Sequence, residues 1–133
     1  MKRALLIAIC LLVAVLAWSQ NEGEYRTWMQ TAGGTVGSLK KNLDAKNGPA
    51  AAADARKLQE VFNQVHEFWQ TKNSEDAMKF AMGASEGFGK IAGQASAGKF
   101  DEASATFKET TANCGNCHSS HREKAADGSF RIK

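Results

Sequence analysis

The sequence predicts an all-α chain, an antiparallel up-down-up-down four-helix bundle, and three observations lead there. Apolar residues recur at alternating steps of three and four along four successive stretches, the narrow stripe of a helix packed in a bundle. The stretches are separated by short runs of turn residues, so neighbours fold back on one another. With one Pro and one Tyr in 133 residues, and no βαβ rhythm, the chain lacks the marks of a turn-rich β protein.

Before the first helix comes a segment of another kind. Met1-Lys2-Arg3 is a short positive start, and the run from Ala4 to Trp18 is almost wholly apolar. Ala17 and Ser19 then place small residues where a signal peptidase needs them. The run falls short of the roughly 20 residues that span a bilayer. Residues 1–19 therefore read as a signal peptide and 20–133 as one exported domain. Cys10 counts as an ordinary apolar residue of the leader. Without the leader, the formal charge falls from +3 to +1, because Lys2 and Arg3 leave with it. Neither value supplies the dense basic stripe of a nucleic-acid binder. Of the 41 hydrophobic residues left in the 114-residue domain, 18 are Ala. Four helices built from so few large side chains make a thin core, and a bound group would help to fill it.

The first stripe is Tyr25, Met29, Ala32, Val36, Leu39 and Leu43. Asn47-Gly48-Pro49 ends that helix and begins the next with Pro in its first turn. The second stripe runs Ala51, Ala55, Leu58, Phe62, Val65, Trp69, and Asn73-Ser74 caps the third helix. Ala77, Ala81, Ala84, Phe88, Ile91 and Ala95 form the third stripe, with Gly98 to Asp101 as the last break. The fourth comprises Ala103, Phe107, Thr110, Cys114, Cys117 and His121. Helices of about 24 residues, each roughly 36 Å long, fill this plan. Trp28, Phe68 and Phe80 fall beside their stripes, where partial exposure would suit a subunit contact.

The chemistry is concentrated in Cys114-Gly115-Asn116-Cys117-His118. C-x-x-C-H is the attachment signal for c-type haem. Two thiols one helical turn apart can each bind one vinyl group of the porphyrin, and the adjacent His projects toward the iron. A thioredoxin-like dithiol would open a helix after a strand, and no strand is visible. A zinc site from Cys114, Cys117, His118 and His121 would need help from elsewhere, because four ligands on one straight helix cannot surround a tetrahedral ion; both readings rank below haem.

The stretch from Phe100-Asp101-Glu102-Ala103 to Cys114-Gly-Asn-Cys-His118-Ser-Ser-His121-Arg122 resembles the last helix of class II c-type cytochromes, the cytochrome c′ family. The likeness extends to helix one, where Tyr25-Arg26 precedes Met29, Gly33 and Gly37. It implies one haem c held through Cys114 and Cys117, with His118 as proximal ligand. Arg122 matches the Arg that follows the haem His by four residues; His121 stands where Phe or Tyr is usual. Family members divide by the sixth iron position, filled by a helix-one Met in low-spin electron carriers and left open in five-coordinate proteins that bind NO or CO. Met29 therefore decides the function. Arg26 precedes it by three residues where four is usual, a register in which Gln30 would take its place. Met82 and His66 lie at the same height but off their stripes, and His121 shares the proximal side with His118. For Arg122, a pairing with a haem propionate and a plain solvated charge stand side by side.

The expectation is thus a periplasmic monohaem cytochrome that carries one electron and is not an enzyme, with His118 and Met29 on the iron. The alternative is a five-coordinate protein with an open distal site. Its expected partners are redox proteins and, as the resemblance implies, a second copy of itself; it keeps no membrane span once the leader is cleaved. Gly83, Gly87, Gly89 and Gly93 are expected to let helix three stand close to the macrocycle.

Overall fold

The structure, a computed structural model, describes the side chains of residues 22–133. The signal-peptide reading of 1–19 lies outside the described residues. Four helices follow in order, α1 (Lys2–Asp44), α2 (Gly48–Thr71), α3 (Glu75–Ser96) and α4 (Phe100–His121), and then two short strands, β1 (Arg122–Lys124) and β2 (Phe130–Ile132). Among the described residues, no helix is long and apolar enough to cross a membrane.

Each break falls where turn residues predict it. The Asn47 side chain caps α2 by accepting from the Ala50 N–H at 3.3 Å, and Pro49 occupies the first turn. Ser74 precedes α3, whose first turn holds Glu75 and Asp76, acids favoured beside free helix N–H groups. Gly98 takes φ +72° after α3 while the Lys99 N–H bonds back to Gln94 O at 2.9 Å, a left-handed stop that suits glycine.

Cross-helix bonds show neighbours running antiparallel. Ser38 and Asn42, late in α1, donate to Asp54 early in α2 at 2.7 and 2.8 Å. Ser85 of α3 donates to Asn63 of α2 at 2.5 Å, and Arg56 reaches Ser96 at 3.3 Å. Phe62 and Phe88 stack between α2 and α3 with ring centroids 5.6 Å apart. Every residue of the second and third predicted stripes is buried, and Phe88, Leu39, Leu58 and Ile91 are the largest fully buried side chains. The Ala-rich stripes let α2 and α3 pack along their whole length, whereas α1 and α4 touch only sparsely.

The chain continues past the fourth helix into a hairpin that the stripes do not mark, and two expectations need correction. Helix four stops at His121, three residues after His118, and the chain turns back as a hairpin. Asp127 accepts from the Ser129 N–H at 2.9 Å, and Gly128 adopts φ +83°, the Asp-Gly chemistry of a tight turn. Phe68 is buried against Tyr25 rather than exposed (ring centroids 4.6 Å apart). The helix-three glycines do not form a cofactor wall. A Cβ on Gly87 would lie 2.1 Å from Thr110 Oγ1, so Gly87 lets α3 approach α4 directly, while Gly89 meets Gln59 and Gly93 borders open space.

Candidate functional site

Where α1 and α4 part, a cleft of about 710 Å³ opens, within the roughly 300–1,000 Å³ of small-molecule and cofactor sites. It lies among the first described turns of α1, the end of α2, the start of α3 and the end of α4, and the hairpin forms one wall. Its walls are mostly apolar: Ala32, Val36, Phe62, Val65, Phe80 and Ala81 contribute, with Ile132 from β2.

Cys114, Cys117 and His118 all line this cleft. Residues three apart on a helix share a face, so the two half-buried thiols lie one turn apart on the side facing α1. Burial pushes the Cys114 thiol up. Cys117 is raised to about 11, first by burial and then by the negative charges of Cys114 and Asp76. The thiols are therefore neutral at physiological pH. His118 is lowered, by burial and secondarily by the nearby Arg122 cation, which favours the neutral imidazole that can bind a metal.

Met29 reaches the same cleft from α1, half-buried and packed against the core. Gln30 also lines it but is exposed. Gly33, one turn on, borders the cleft, and a Cβ there would meet nothing within 4 Å. Gly37 is no part of it. Met82 is 47% exposed and neither Met82 nor His66 lines the cleft. Arg122 stands at the rim, its guanidinium 4.1 Å from the centroid of the Phe130 ring.

Tyr25 and His121 also line the cleft and are tied to Trp69 behind it, through connections that no sequence signal marked. His121 Nε2 lies 2.8 Å from Asp76 Oδ2, joining the end of α4 to the start of α3, and its ring packs 4.9 Å from Trp69. Trp69 Nε1–H donates to the Tyr25 hydroxyl at 3.3 Å. Burial raises Tyr25 to about 12, so its hydroxyl stays protonated. Three stripe positions, Tyr25, Trp69 and His121, pointed to this height of the bundle; the acid on His121 left no periodic signal.

The residues present fit a covalently held haem. Two neutral thiols one turn apart, a neutral imidazole beside them and a thioether on the adjoining helix converge on one cleft with apolar walls. Among the described residues, no three His, Cys, Asp or Glu side chains gather as a metal cluster, so the zinc arrangement gains no fourth-side support. No family model, curated protein or solved structure matches the chain.

Proposed function

We propose that the chain is an exported, periplasmic monohaem c-type cytochrome of the class II kind, a one-electron carrier rather than an enzyme. The observation that carries this is the convergence of Cys114, Cys117 and His118 from α4 and Met29 from α1 on a single cleft. Cys114 and Cys117 would hold the porphyrin by thioether bonds, with His118 and Met29 as the two iron ligands. The bound haem supplies a one-electron Fe(III)/Fe(II) couple. The chain's own residues do the rest. Neutral His118 offers a lone pair, and Met29 offers a thioether sulfur that favours the ferrous state and a higher potential. Apolar residues such as Phe62 and Val65 keep water from the cofactor faces, and the Asp76–His121 pair fastens the end of α4 that carries the motif.

A second reading rests on the room beside Met29 at Gly33: an open sixth position that binds NO or CO. Covalent attachment is common to both and is tested first. Protein made with the haem-attachment machinery should gain the mass of one haem that survives denaturation. Cys114→Ala with Cys117→Ala should abolish the gain. An unmodified wild-type mass under those conditions contradicts the proposal.

A further inference from the structure

The C-terminal hairpin has no place in the C-x-x-C-H motif, yet Ser129, Phe130, Arg131 and Ile132 line the cleft. The same cleft is lined by α1 and α4, which meet only sparsely. At the α4 end the Lys133 N–H bonds to His121 O at 3.1 Å, and Ile132 packs against the core. At the other end, Asp127 in the turn is held low chiefly by Ser129, with a small contribution from Arg26 of α1. The strand register pairs Arg122 with Ile132 and Lys124 with Phe130. These four side chains share one face of the ribbon, and Glu123 and Arg131 share the other. Phe130 is thus the diagonal cross-strand neighbour of Arg122, within reach of an aromatic contact.

The three arginines at the cleft are not equivalent. Arg131 Nε lies 3.7 Å from Glu123, and Arg26 stands near the Asp127 carboxylate. Arg122 forms no ion pair among the described residues; its guanidinium lies over the Phe130 ring. A ring face attracts a cation without using its N–H donors, and those donors form a planar fork suited to a carboxylate. Phe130 itself is 50% exposed, so its burial in the bundle does not account for an aromatic residue there.

Building on the haem reading, we infer that Phe130 is a positioning residue: it holds Arg122 at the mouth of the cleft to take a carboxylate of the tetrapyrrole. The hairpin is then part of the cofactor site, and the class of ligand is specified as a carboxylate-bearing porphyrin.

The test compares binding of iron protoporphyrin IX and its dimethyl ester to the full-length apoprotein, made without attachment machinery. The free acid should bind about ten- to a hundredfold more tightly than the ester, as a charge-assisted hydrogen bond predicts. Arg122→Gln should bring the ratio close to one. Phe130→Ala should lower it several-fold, and Phe130→Tyr, which keeps the ring, should preserve it. Helicity by circular dichroism, unchanged in each variant, shows that the bundle is intact. Equal binding of acid and ester by the wild type, or a ratio indifferent to Arg122→Gln or Phe130→Ala, overturns the inference and leaves the haem reading standing. Failure of the wild type to bind either porphyrin overturns both.

Discussion

The two ends of the bundle use one sequence pattern with opposite results. At the closed end the stripe residues Leu39, Leu43, Leu58, Ile91 and Ala103 are each at most 2% exposed. At the cleft end, Tyr25, Met29, Val36, Cys114, Cys117 and His121 continue the α1 and α4 stripes only half-buried, while the α2 and α3 stripes stay buried. Those half-buried residues line the cleft, and Tyr25 and His121 also pack on the aromatic rings of α2. A period of three and four fixes the direction in which a side chain points; it does not provide a protein surface for it to meet. Where the helices part, inward-facing residues keep part of their surface uncovered, and that is the room the proposed haem would take.

The contrast makes stability and function separable, and substitutions at the two ends should show it. Phe88→Ala leaves a hole in the closed core with no means of collapse, and should cost about 3–5 kcal/mol in urea unfolding. A loss below about 1 kcal/mol would show that the closed end is not close-packed. Gly87→Ala should cost about 1–3 kcal/mol by forcing α3 from α4. Thr110→Ala, which removes the Oγ1 and Cγ2 atoms at 2.1 and 2.6 Å from that Cβ, should recover part of it. No recovery would mean that the two residues do not meet.

At the cleft end, Met29→Ala should cost the apoprotein under about 2 kcal/mol, less than the roughly 2–5 kcal/mol of a fully buried Met. A larger loss would make Met29 a core residue first. The smallest effect concerns acid stability. Asp76 is held below its usual 3.8, chiefly by hydrogen bonds from His121 and Ser74. A carboxyl lowered on folding adds stability that is complete above its unfolded pKa and fades as the pH falls through the folded value. Asp76→Asn should therefore flatten the fall in melting temperature below about pH 4. Because Asp76 is solvent-exposed, the change should be slight; an unaltered acid limb would remove the Asp76–His121 pair from the account.

Much of the bundle was legible because its signals are local. Asn47 caps α2, and Pro49 and Gly98 mark breaks by their backbone. Ser74 stands at the N-cap of α3, though its hydroxyl donates to Asp76 and not to the backbone. All twelve stripe residues of α2 and α3 are buried as their period implies. Cys114, Cys117 and Met29 fell on stripes and His118 was marked by its place after the second Cys; all four line the cleft. What was missed depends on contacts between distant segments. The hairpin has three-residue strands, too short for alternation to register, although Asp127-Gly128 was a usable turn signal. The glycines of α3 were read toward a cofactor because sequence shows where a side chain is missing, not which neighbour fills the room; Thr110 and Gln59 fill it. Phe68, one residue before the Trp69 stripe position, is covered by Tyr25 and Trp69 together.

The central claim is that the cleft closes over an iron held from both sides, by His118 and Met29. The absorption spectrum of the reduced, haem-loaded protein with and without CO tests it most directly. Low-spin bands indifferent to CO in the wild type, becoming CO-sensitive in Met29→Ala, are the predicted result. A wild-type spectrum that is high-spin and shifts with CO would contradict it and leave the sixth position open.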